Sequence, residues 1–308
     1  MLSQPLPAAD EEDNPKKGVY YFILHTLLMS ANSYVASALF SLNPSVSVVQ
    51  LTFCRGVIAS LMILALINVN LKKTLVDSID RDSLPSLIFR CTQGAFSIFI
   101  SFMSYKYFNV STVGIVCSLY PVLVCVIASL LLNEVMKVRD VVTLAGVFVS
   151  VVLVIAYSNP EEASTMKANP WALIALISQP VLLAGGSIAM RKMRKMPEQV
   201  CSAYQNITLA AMASLAMIAS GTSLSFLMEM SALSYGLLFL SCSLTIATQM
   251  AKFSAFKYSE ASALQKYAFL PNGWQFFIDL LILQTAFTGM QYIGFGLLFA
   301  VYGLDVVQ

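Results

Sequence analysis

Gly18-Val-Tyr-Tyr-Phe-Ile-Leu-His-Thr-Leu-Leu-Met-Ser-Ala-Asn-Ser-Tyr-Val-Ala-Ser-Ala-Leu-Phe40 carries no side chain that is charged at neutral pH over its whole length. About twenty such residues are what a helix needs to cross the hydrocarbon core of a bilayer, and a signal-peptide core is shorter. The residues ahead of it lack a basic start and hold the acidic cluster Asp10 to Asp13, so the run is read as a retained span. Residues 1–17 are then a disordered cytoplasmic tail. Working outward, nine more runs of similar length follow, at about 47–69, 84–106, 110–132, 138–157, 170–190, 198–219, 231–255, 260–283 and 286–305. The composition agrees: 58% of the chain is hydrophobic and 11% charged, with a mean hydropathy of +0.76, where a soluble domain is about 25% charged. The expected fold is an all-α integral membrane protein of ten transmembrane helices.

Charge decides orientation. Loops rich in Lys and Arg stay cytoplasmic. With the N-terminus inside, the inner segments hold Lys16, Lys17, Lys72, Lys73, Arg81, Lys137, Arg139, Arg191, Lys192, Arg194, Lys195 and Lys257, and the outer ones only Lys106 and Lys167. An even span count with both termini cytoplasmic follows. Whether the membrane is the plasma membrane or an endomembrane is not written in the chain. A net charge of +2 gives no basic face for nucleic acid. The Cys residues fall in or beside apolar runs without CxxC spacing, so they are read as small core residues and no metal site is expected.

An internal echo appears at an offset of about 150 residues. Tyr105-Lys106-Tyr107 matches Phe256-Lys257-Tyr258, Pro121 matches Pro271, and Gly146 matches Gly296. Five helices per copy is an odd number, so the second copy enters the membrane from the opposite face. The expected units are a first five-helix repeat over 18–157 and a second, inverted one over 170–308, with the seam at Ser158 to Asn169.

The stretch Tyr107-Phe-Asn-Val-Ser-Thr-Val-Gly-Ile-Val-Cys-Ser-Leu-Tyr120-Pro121, then Leu131-Leu132-Asn133-Glu134 and Gly146, resembles the repeat signature of the drug/metabolite transporter superfamily, EamA type. Ala261-Ser262-Ala263 to Leu270-Pro271 looks like its second copy, and Pro44 before Arg55 and Arg191 closing the sixth span extend the likeness over nearly the whole chain. The resemblance implies ten helices with both ends cytoplasmic around a central substrate cavity. This chain departs from it at Ser30-Ala31-Asn32-Ser33, where many relatives have a tryptophan, and at Gln284, which stands where the first repeat has Glu134.

Candidate site residues are polar groups within apolar runs. Pro121 and Pro271 each remove a backbone donor and interrupt a span, and interruptions at matching places in two halves point to a binding site between them. Tyr120 precedes the first of them and Asn272 follows the second. The ninth span presents Gln265, Asn272 and Asp279 on one face, with Lys266 able to attract an anionic or zwitterionic solute if it points inward and to snorkel if not. The third span carries Arg90, Gly94, Ser97, Ser101 and Ser104 on one face with Gln93 beside it, and the eighth carries Ser241, Thr245, Gln249 and Lys252. Such stripes line a path or glue helices. His25, the single histidine, shares a side of the first span with Asn32 and is read as a helix contact or a proton relay. Arg55 and Arg90 are read as structural, bonded to carbonyls or helix ends, and Lys252 as snorkelling to the inner interface.

No metal-spaced His and Cys cluster, activated nucleophile or phosphate loop stands in the sequence, so neither enzyme chemistry nor a cofactor is expected. The function expected is secondary transport of a small polar metabolite by alternating access, in a monomer or homodimer. The alternative is a channel or membrane receptor, for which rings of charge around a shared pore would be the signature.

Overall fold

The computed structural model describes residues 15–67, 71–79, 81–120, 123, 138–157, 169–193, 196–259, 264, 267, 270–281 and 284–307. Among the described residues the secondary structure is helical throughout, with ten helices of eight residues or more: α1 Pro15–Leu42, α2 Val48–Ile67, α3 Leu84–Tyr107, α4 Val110–Cys117, α5 Val138–Ala156, α6 Pro170–Lys192, α7 Glu198–Ser220, α8 Ala232–Tyr258, α9 Leu270–Leu281 and α10 Gly289–Val307. Their ends follow local chemistry. Proline sits in the first turn of α1, α3 and α6, where its missing N–H would have no partner in any case. Asn169 caps α6 through Ala172 N at 3.2 Å, and Ser231 caps α8 through Ser234 N at 3.2 Å. Gly221 closes α7 at φ +62°, a left-handed conformation that a side chain disfavours. The first helix opens at Pro15, so Lys16 and Lys17 belong to it rather than to a tail.

Four of these helices are long and apolar enough to cross a membrane, Lys16–Leu42, Val48–Ile67, Leu84–Tyr107 and Ala232–Tyr258, and three shorter apolar helices accompany them. Burial is inverted relative to a water-soluble bundle. Leu27, Leu61, Phe96, Ile177, Leu215 and Phe239 are exposed, while Gln93, Gln205, Asn206, Gln275 and Asp279 are buried. A chain solvated by hydrocarbon gains nothing by hiding leucine and must hide its amides and carboxylates.

The helices pair across the two halves of the sequence. The most extensive contacts are α1 with α8, α2 with α7, α3 with α6, and α5 with α10, and α9 packs on α1 and α4. Two apolar cores result. One joins the C-terminal half of α1 to α2 and α8 through Leu39, Phe40, Cys54, Ile63, Leu238 and Ile246. The other joins α4, α5, α6, α9 and α10 through Val113, Val151, Leu176, Phe276, Phe295 and Leu298. The α2–α7 crossing is close because Gly56 has no side chain: a Cβ there would stand 2.8 Å from Ala210 N.

Candidate functional site

Between the two cores, where α1, α3, α6 and α8 face one another, lies a cavity of about 180 Å³. Its wall is built from the polar faces of those helices. From α1 come His25, Asn32 and Ser33; from α3 Arg90, Gln93, Ser97, Ser101 and Tyr105; from α8 Thr245, Thr248, Gln249 and Lys252. Each set recurs every three or four residues, which places it on one side of a helix. Gln179 of α6, Gln205 of α7, Arg55 of α2, and Asn272 with Gln275 of α9 complete the lining.

Hydrogen bonds between helices hold many of these groups. Asn32 accepts from Ser241 Oγ at 2.8 Å and donates to Thr245 Oγ1 at 3.4 Å, joining α1 to α8. His25 Nδ1 lies 3.1 Å from the Thr248 carbonyl oxygen. On the opposite wall Gln179 Nε2 donates to Ser101 Oγ at 2.7 Å, and Gln93 Nε2 donates to the Leu182 carbonyl at 2.5 Å, joining α6 to α3. Gln249 Oε1 accepts from Ser202 Oγ at 2.5 Å and Asn206 Nδ2 at 3.1 Å. Glycines make room for this polar layer, since a Cβ on Gly114 would stand 2.0 Å from Gln275 Oε1.

Several buried polar atoms find no partner in the protein, among them Arg55 Nε, Arg90 Nε, Gln205 Oε1, Asn272 Nδ2 and Gln275 Oε1, all on cavity-lining residues. A buried donor or acceptor left alone costs about 1–3 kcal/mol. Their concentration around one void means that this void is polar and solvated, or filled by something that bonds to them.

Residues 16–156 match the model of the EamA-like transporter family. Over that stretch the chain is similar to EamA-like transporters. Twenty-seven chains of solved structures match this chain in fold. One of them, a crystal structure, aligns with a TM-score of 0.66 at 17% identity, covering 96% of this chain and 98% of that one. No curated protein gives a significant match. That likeness and the four helices long and apolar enough to cross a membrane make this a multi-pass membrane protein whose residues 16–156 resemble a transporter of the drug/metabolite type.

Of the residues singled out in the sequence, the fold brings His25, Asn32, Gln93, Ser97, Thr245, Gln249 and Asn272 to the one cavity. Tyr120 and Pro271 line a smaller recess of about 50 Å³ that shares His25, Lys252 and Asn272 with it. Gln265, Lys266 and Pro121 lie outside the described residues. Two readings change, those of Lys252 and the arginines, and for Asp279 the structure selects one of two open readings. Lys252 lines the cavity instead of snorkelling away from it. Arg90 bonds to the neutral Gln93 Oε1 at 2.9 Å, and Arg55 rests on the Phe102 ring at 4.7 Å, rather than either being held by carbonyls. Asp279 stays out of the cavity and glues helices: its carboxylate accepts from Ser111 N at 3.0 Å, in the first turn of α4, and from Tyr34 OH at 2.8 Å. Sequence reasoning missed Gln179, Gln205 and Gln275 as lining residues. A signal existed for two of them. Gln275 is one turn from Asn272 on the same face, and Gln205 stands 150 residues after Arg55, at the offset of the internal echo.

Proposed function

We propose that this chain is a secondary transporter that carries a small polar metabolite across its membrane by alternating access, with the substrate held in the central cavity. The cavity sits between two five-helix halves of opposite polarity, residues 18–157 and 170–308, and both termini are cytoplasmic. His25, Asn32, Gln93, Ser97, Thr245, Gln249 and Asn272 contact the substrate, and Pro271 and Pro121 break the spans on which the halves bend. Tyr120, Gln265 and Lys266 belong to the same path.

The observation that carries this reading is the pattern of helix neighbours. Exchanging each helix with the one five places along turns the α1–α8 contact into α6–α3, α3–α7 into α8–α2, and α1–α9 into α6–α4, while α2–α7, α4–α9 and α5–α10 map onto themselves. A duplicated unit packed about a two-fold axis has this property. An axis lying in the membrane plane gives each half the same relation to opposite faces, which is the geometry that lets a rocking bundle open a central site to one side and then the other. The two larger apolar cores, each built from helices of both halves, flank the polar layer and allow that motion by shifting against each other while the polar contacts exchange.

Reconstitution into vesicles tests the proposal. A panel of labelled amino acids, sugars, sugar phosphates and carboxylates should give saturable uptake of one class, accelerated by the same solute on the far side. Ion conductance at channel rates, with no saturable flux of any class, would overturn it in favour of a channel.

A further inference from the structure

Resting on the transporter reading, we infer that the solute is an organic oxyanion whose charged group is held between Arg90 of α3 and Lys252 of α8. Among the described residues the lining of the cavity includes His25, Arg55, Arg90 and Lys252, and no Asp or Glu. Among the described residues no carboxylate lies within ion-pair distance of Arg55, Arg90 or Lys252. Unbalanced positive charge at this depth is costly, several kcal/mol per ion even after relaxation, and intramembrane cations ordinarily find a partner.

The cations are not equivalent. Arg55 has a structural account: its guanidinium stacks on Phe102 in an apolar core. Arg90 has only the neutral Gln93 Oε1 as a partner, and Lys252 has no ion pair among the described residues. They come from different helices and line the same cavity. Phe102, beneath Arg55, lies twelve residues beyond Arg90 on α3, about 18 Å of helix rise. Arg90 therefore stands toward one end of the cavity and Arg55 toward the other. An oxyanion in the cavity between Arg90 and Lys252 gives each of these two cations a partner of opposite charge.

The surroundings fit that ligand. Arg90 is 8% exposed, its Nε has no partner, and its Nη1 donates to Gln93 Oε1. Gln93 is in turn fixed by the Leu182 carbonyl, so the guanidinium is aimed while part of its fork stays unused. An arginine fork matches the paired oxygens of a carboxylate or phosphate, and a lysine adds a point charge without geometric demand. The unpartnered amides of Asn272 and Gln275 lie on α9 and can take the hydroxyl or carbonyl part of the same molecule.

The test is binding to the purified full chain, by titration calorimetry, of glucose 6-phosphate and glutarate against their uncharged counterparts glucose and glutaramide. The two anions separate phosphate from carboxylate as the source of the charge. One or both should bind, weaken with added salt, and lose at least tenfold in affinity in Lys252→Gln and in Arg90→Gln. Lys252→Arg should retain binding, and Lys257→Gln, at an exposed position beyond the cavity, should match wild type. Lys252 is only half-buried, so its variant carries the test if Arg90→Gln does not fold. Binding of neither anion, or equal binding in Lys252→Gln and wild type, overturns the inference. Vesicle flux separates the two levels: saturable uptake of glucose or glutaramide with the anions ignored removes the anion and leaves the carrier, whereas channel conductance removes the carrier.

Discussion

Replacing Gly56 by alanine tests whether the α2–α7 crossing is as close as the packing requires. The added Cβ would meet Ala210 N at 2.8 Å, Ala210 Cα at 2.9 Å and Ala210 Cβ at 3.2 Å. The first contact is about 0.6 Å inside the 3.4 Å at which ordinary van der Waals contact begins. Two of the three atoms are backbone, so no rotamer change relieves them and one helix must move as a unit. Overpacking of this kind costs about 1–3 kcal/mol, and a rigid helix puts the effect toward the upper end. The gain in helix propensity from glycine to alanine, about 1 kcal/mol in a soluble helix, offsets part of it. Gly236, in α8, has nothing within 4 Å of its would-be Cβ and supplies the control. Thermal unfolding of the purified chain, followed by loss of the monodisperse size-exclusion peak, should place Gly56→Ala below wild type and Gly236→Ala at or above it. If Gly56→Ala is as stable as Gly236→Ala, the helices are not in backbone contact and the proposed axis through this crossing loses its support.

The Asp279 carboxylate receives two buried donors, Ser111 N–H and Tyr34 O–H. Asp279→Ala strands Ser111 N–H and should cost about 1–3 kcal/mol, whereas Tyr34 O–H also has the Gln275 carbonyl as acceptor, so Tyr34→Phe should cost less. The same thermal assay ranks them, and equal stability of Asp279→Ala and wild type would show that the carboxylate does not tie α9 to α4. Asn272 is 4% exposed, and its Nδ2 is unpartnered at the cavity wall. Asn272→Leu should therefore abolish most vesicle uptake while leaving the amount of membrane-inserted protein unchanged, and normal uptake would take Asn272 out of the site.

Much of this was legible from residue spacing because lipid imposes a simple rule: apolar runs must be about as long as the bilayer is thick, and polar groups must turn away from it. The helix starts at Leu84, Val110, Val138, Pro170 and Glu198 coincide with the starts of the runs. The stripes on α3 and α8 face inward for the same reason, and Gln93, Ser97, Thr245 and Gln249 could be chosen from spacing alone. Lys252 was misjudged because it satisfies two rules at once. It continues the polar stripe of α8, and it stands near a helix end where its long side chain could reach the interface. Which rule wins depends on whether a neighbouring helix leaves a void, and that is a tertiary fact. Gln179 was missed for a related reason, since one amide in an apolar run has no periodic partner to reveal its face. The pairing of Asp279 with Tyr34 and Ser111 joins three helices far apart in sequence and leaves no local trace.

Accessibility of a thiol at the cavity wall probes alternating access most directly. With Asn272→Cys in a background whose native cysteines are replaced, an impermeant thiol reagent is applied to one face of sealed, oriented vesicles at a time, and ion conductance is recorded in parallel. Labelling from either face, in vesicles that remain ion-tight, is the predicted result. Labelling confined to one face under all conditions would contradict a cavity that the two halves present to each side in turn.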